Sequence, residues 1–158
     1  MTQTQTIFTS AKGMSDQEYT PAPQMILTDQ AGNWRPSVIK RLEELLRLEN
    51  GWDGYNGIPI SLENAIFALR MLEAVCTPET PAPQIIPGAD GDLQIEWHTL
   101  QGDLELHVQA PNKVEAWFCR TGQDSEGEER PLTFVFYTVA EWVKIITETP
   151  IASSATTT

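Results

Sequence analysis

Histidine and cysteine are scarce in this chain, with two of each among 158 residues. Cys76 and Cys119 follow no metal-ligand spacing, which argues against a cysteine-built zinc site; reduced, buried thiols are the expectation, with a disulfide only if the fold brings the two together. No uninterrupted run of about 18 apolar residues occurs, so no membrane-spanning helix is expected. The first thirty residues are rich in Thr and Gln and lack the apolar stretch of a signal peptide, which points to a cytoplasmic protein. No GxGxxG, P-loop or GxSxG pattern is present, and no cofactor is expected.

Positive charge is the other shortage. Ten Lys and Arg stand against 22 Asp and Glu, for a net charge of −12. Residues 1–70 hold six basic and eight acidic groups, whereas residues 71–158 hold four and fourteen. Such a field repels phosphate backbones and anionic lipid, so neither nucleic acid nor a membrane is an expected direct ligand. A basic protein surface would instead be steered toward the C-terminal half.

The chain is long enough for one domain with its own core. Residues 1–33 read as a flexible arm, residues 34–148 as a single α+β domain and residues 149–158 as a disordered Ser/Thr tail. Val38, Ile39, Leu42, Leu45 and Leu46 recur at helical spacing between Pro36 and Gly51, predicting a helix over 36–49 that glycine stops at its C′ position. Ser61 can cap a second helix whose stripe is Leu62, Ala65, Ile66, Leu69, Leu72 and Cys76. The proline-rich segment 77–84 reads as a connector.

Beyond it the period becomes two. Leu93, Ile95 and Trp97 share one face of a strand; Leu104, Leu106 and Val108 share one face of the next. With Gln101-Gly102 as the turn, Trp97 meets Leu106 and Ile95 meets Val108, and Val114, Ala116 and Phe118 then extend the same dry face. Leu132–Tyr137 reads as a fourth strand, and Thr138 with Glu141 as a capping box ahead of Val139, Trp142, Val143 and Ile146. The expected fold is an antiparallel meander of about four strands, with two N-terminal helices and one C-terminal helix on one face.

That register predicts a second, polar face with Glu96 opposite His107, His98 opposite Glu105 and Glu115 beside His107. His98, His107, Glu96 and Glu105 have the residue types of a two-His, carboxylate metal site or of a His with a general-base carboxylate. Exposed Glu–His cross-strand pairs are also ordinary sheet decoration. The corner Glu49–Ser61, ENGWDGYNGIPIS, joins the two helices. There Asp53 is expected to bond backbone N–H groups within the turn, Trp52 to fold back as a core anchor, and Tyr55 to serve either as anchor or as a contact residue. Asp90-Gly-Asp92 lacks the spaced oxygens and distal glutamate of an EF-hand.

The corner, followed by Asp90-Gly-Asp-Leu-Gln-Ile-Glu-Trp-His98, resembles a widespread family of short bacterial proteins with an NWDGYG-P-S corner and a DG-x-x-x-EWH strand. The resemblance spans residues 36–120 and implies a compact α+β module of the kind encoded beside a partner protein; it carries no activity with it. Together these features point to an acidic, non-catalytic interaction module, a regulatory, inhibitory or antitoxin-like subunit. It would bind a basic protein through Trp52, Asp53, Tyr55, Glu96, His98, Glu105, His107, Glu115 and the acidic loop Asp124, Glu126, Glu128 and Glu129. A hydrolytic enzyme using the sheet face and a mimic of nucleic-acid charge are the alternative expectations.

Overall fold

The computed structural model describes residues 34–122, 127–132 and 135–148. The expected arm, the expected tail, Asp124 and Glu126 lie outside these residues. The elements run α1 (Trp34–Leu46), α2 (Leu62–Val75), β1 (Gln84–Pro87), β2 (Leu93–His98), β3 (Gly102–Ala110), β4 (Lys113–Arg120), β5 (Glu128–Leu132) and α3 (Tyr137–Thr147). Among the described residues the fold is α+β: three helices and one five-stranded antiparallel sheet in sequential order β1-β2-β3-β4-β5. Among the described residues no helix is long and apolar enough to cross a membrane.

Alternation does what its period dictates. Leu93, Ile95, Trp97, Leu104, Leu106 and Val108 are buried on one side, and the residues between them are half-buried or exposed on the other. The buried side packs against the helices: α2 and α3 lie against β3, and α1 against β1. Val38, Leu42 and Leu45 of α1, Ala65, Ala68 and Leu72 of α2, and Val139, Val143 and Ile146 of α3 complete one continuous core. Phe118 stacks on Trp142 with centroids 5.3 Å apart, joining β4 to α3. Three side-chain donors tie the 77–83 connector to this frame: the Trp34 indole donates to the Thr77 carbonyl at 3.1 Å, the Trp97 indole to the Pro81 carbonyl at 2.8 Å, and the half-buried Thr147 to Thr80 at 3.2 Å.

Several expectations are corrected. The β2–β3 register pairs Ile95 with Leu106 and Trp97 with Leu104, two residues away from the expected partners. The reversal falls on Leu100-Gln101, closed by the Thr99 N–H donating to the Gly102 carbonyl at 3.0 Å. Gly102 is a strand residue: it pairs with Arg120, and a Cβ there would collide with the Cys119 carbonyl. Glycine serves close backbone approach here, not turn geometry. A shift of two residues leaves each side chain on its expected face, because the side-chain period is also two.

Of the strand expected at Leu132–Tyr137, residues 133–134 lie outside the described residues; the strand that is seen is β5, Glu128–Leu132, an edge strand with only Leu132 buried, and Tyr137 opens α3. Polar EERPL carries no hydrophobic alternation, and its position comes from pairing Leu132 with Val114. The connector ends in a strand: β1, QIIP, buries only Ile85 and occupies the opposite edge, where prolines are tolerated and blunt further pairing. The Arg41 guanidinium covers that edge by donating to the Ile85 carbonyl at 3.0 Å.

Helix α1 stops at Leu46, and i→i−3 bonds from Arg47 and Leu48 tighten its end, so Gly51 is not its C′ residue. In α2 the buried stripe is Asn64, Ala65, Ala68, Met71, Leu72 and Val75, leaving Leu62 and Ile66 exposed. The Thr138–Glu141 capping box does not form: α3 begins after Phe136, with no side-chain cap. Packing of the Phe136 ring on Phe67, 6.0 Å between centroids, fixes the entry instead.

Candidate functional site

The corner is a self-closed loop. Gly51 adopts φ +80°, a conformation that favours glycine, and donates to the Gly57 carbonyl at 2.7 Å. One oxygen of Asp53 accepts from the N–H groups of Tyr55 and Gly57, both at 2.9 Å, as expected. These bonds, Gly57 first, hold its carboxyl below the usual carboxylate range. Trp52 is half-buried and outside the core; its indole donates to the Ile58 carbonyl at 3.0 Å and braces the loop. Tyr55 is 85% exposed and anchors nothing.

The corner docks on the turn that precedes β2. Ile58 N–H donates to the Ala89 carbonyl and Ser61 N–H to the Gly91 carbonyl, both at 2.9 Å. Asn64, 5% exposed, donates its amide to the Gly91 carbonyl at 2.9 Å and the Gln109 carbonyl at 3.3 Å, locking the start of α2 to the turn before β2 and to β3. The two motifs of the sequence resemblance are thus adjacent in space, and their visible role is structural. Asp92 continues the chain of bonds: it accepts from the Asp90 N–H at 3.2 Å and pairs with Nε2 of His107. Partial burial opposes ionisation of Asp92, but the His107 bond and the backbone donors outweigh it and hold the carboxyl below its ordinary value.

The open face of the sheet is built in rows. Glu96 stands opposite Glu105, not His107; His98 stands opposite Asp103, not Glu105; His107 lies between Gln94 and Glu115. The next row runs Gln84, Glu96, Glu105, Trp117, Glu129 across all five strands. His98 is clamped between Asp103 (Nδ1, 3.0 Å) and Glu96 (Nε2, 3.3 Å), which raises its pKa, Asp103 contributing most, and favours the imidazolium. His107 Nδ1 lies 4.0 Å from Glu115. Among the described residues, Glu105 and Glu129 have no ion-pair partner. Glu128 points to the opposite side of β5 from Glu129 and meets Arg130 at 3.5 Å.

A cleft of about 160 Å³ opens on this face, lined by Gln94, Glu105, His107, Glu115, Ala116, Trp117 and Glu129. Trp52, Asp53 and Tyr55 are not part of it. The expected metal candidates are dispersed: His98 and His107 serve separate carboxylate pairs, and among the described residues no three His, Cys, Asp or Glu side chains converge on one point. His107 has an orienting carboxylate in Asp92, but its recorded partners are carboxylates, not a Ser or Cys nucleophile. Burial pushes the Cys76 thiol up to about 12, which leaves it unreactive at neutral pH.

Sequence reasoning missed Asn64, Asp92 and Trp117. Trp117 carries a visible signal, an aromatic at a polar-phase position between Ala116 and Phe118; Asp92 and Asn64 carry none beyond the corner motif beside them. Comparison with protein-family models, with curated proteins and with solved structures found no match for this chain.

Proposed function

We propose that this protein is a non-catalytic interaction module that binds a basic protein surface with the open face of its sheet, as a regulatory or inhibitory subunit. The observation that carries this reading is the facing pair Glu96 and Glu105. Like charges directly opposed on a sheet destabilise it by a few tenths of a kcal/mol. Here the face also carries Asp103, Glu115 and Glu129, and its strand positions supply only Lys113, at one end of β4, as a permanent cation. A cationic partner relieves that repulsion. The same field disfavours nucleic acid as a direct ligand.

Affinity for a basic partner should therefore fall steeply between about 0.1 M and 1 M salt, as the screening length shrinks from ~10 to ~3 Å. Calorimetric titration of the full chain with an arginine- and lysine-rich peptide across this range reads the effect directly. A variant carrying Glu96→Gln, Glu105→Gln, Glu115→Gln and Glu129→Gln should lose the salt-sensitive part of binding. Affinity indifferent to salt, or unchanged in that variant, contradicts the proposal.

A further inference from the structure

Within that reading, on which this inference rests, we infer that the cleft between β3, β4 and β5 is a receptor for a single arginine side chain of the partner, held by Glu105 and Glu129 with its guanidinium against Trp117. Three observations converge. Trp117 sits in one cross-strand row with Glu105 on one side and Glu129 on the other. Those two carboxylates are the ones on this face without an ion pair among the described residues, whereas Glu96 and Asp103 are engaged by His98, and Asp92 by His107. Gly127 lies so close to the Trp117 indole that a Cβ there would collide with its ring, so the backbone of residue 127 holds the indole in place beside the cleft.

Size and charge then select the occupant. At about 160 Å³ the cleft is roughly half the lower bound of ordinary small-molecule pockets, ~300 Å³, and fits one side chain better than a cofactor. Its walls are acidic, so the side chain is cationic. A guanidinium is planar, stacks on an aromatic face and presents a fork of donors to two flanking carboxylates, while an ammonium is a compact, strongly hydrated point charge that does neither as well. Neighbouring strands lie about 4.8 Å apart, so carboxylates on either side of the Trp117 strand are about twice that distance apart at their backbones, within reach of one guanidinium once the side chains lean inward.

The full-length isotope-labelled protein is titrated with three short peptides identical except for one central arginine, lysine or citrulline, while the indole N–H resonances and backbone amides are followed. The arginine peptide should move the Trp117 indole and the amides around Glu105 and Glu129, bind several-fold more tightly than the lysine peptide, and lose its effect when citrulline replaces arginine. Trp117→Leu should weaken it about tenfold. Glu105→Gln and Glu129→Gln, which preserve side-chain shape, should each weaken it several-fold and keep the test valid if Trp117→Leu perturbs the β4–β5 pairing. Lysine binding as tightly as arginine overturns the guanidinium assignment. Salt-sensitive binding that maps to Glu96 and Asp103 and ignores Trp117 overturns the cleft but leaves the acidic face standing; no binding by any of the basic peptides overturns both.

Discussion

Replacing Asn64 by aspartate is expected to cost about 3 kcal/mol or more of folding stability, although the two side chains have the same shape. The amide of Asn64 is 5% exposed and points its donors at the carbonyls of Gly91 and Gln109. A carboxylate in that place would set negative oxygens against two carbonyl oxygens in a largely buried site. Among the described residues the Asn64 Oδ1 atom has no hydrogen-bond partner, so the bonds that residue makes with its side chain are those its N–H groups donate. Chemical denaturation of the Asn64→Asp variant measures the loss directly. A loss under about 1 kcal/mol would mean that this clasp does not join α2 to the sheet.

Gly102→Ala is the second large effect, at about 2–3 kcal/mol and a fall in Tm on the order of 10 °C. A Cβ at this position meets the Cys119 carbonyl and crowds the backbone of Arg120, both belonging to β4, and neither can retreat without opening the β3–β4 ladder. Thermal unfolding followed by circular dichroism gives the value. A loss under about 1 kcal/mol would contradict the close approach of Gly102 to β4 and with it the β2–β3 register described above.

These two residues also show where sequence reading succeeds and where it stops. The alternation Leu93-Ile95-Trp97 and its continuation through β3 and β4 states which side chains are dry, and the structure places every one of them in the core. Alternation repeats every two residues, however, so it cannot distinguish one register from another displaced by two. That choice is made by the close approach of Gly102 to β4, a contact far apart in sequence. The consequence for the site is direct: the displacement puts Glu96 opposite Glu105 and turns two expected Glu–His pairs into one like-charge pair and one His98–Asp103 pair.

The edge strands were illegible for a related reason. Both β1 and β5 contain proline and bury one residue each, so their place in the sheet is fixed by tertiary pairing with β2 and β4 and not by their own composition. Without β5, Glu129 has no location and the cleft beside Trp117 has only one wall. The α2 stripe that spacing suggests is rotated in the structure: Asn64 enters the buried face because its amide N–H groups find carbonyl acceptors there, while Leu62 and Ile66 stay outside. The corner, by contrast, was legible in its chemistry, since Asp53 makes the turn bonds its position implies.

The proposed role requires that the open face be kept acidic for a cationic partner at some cost to the fold. Glu105→Lys tests this in a single protein, with stability and affinity measured together. Facing Glu96, a lysine turns a repulsive cross-strand pair into an attractive one, so the free energy of unfolding should rise by about 0.5 kcal/mol while binding of an arginine-containing peptide is lost. A variant that is less stable by more than about 1 kcal/mol, or that binds the peptide as the parent does, would contradict it.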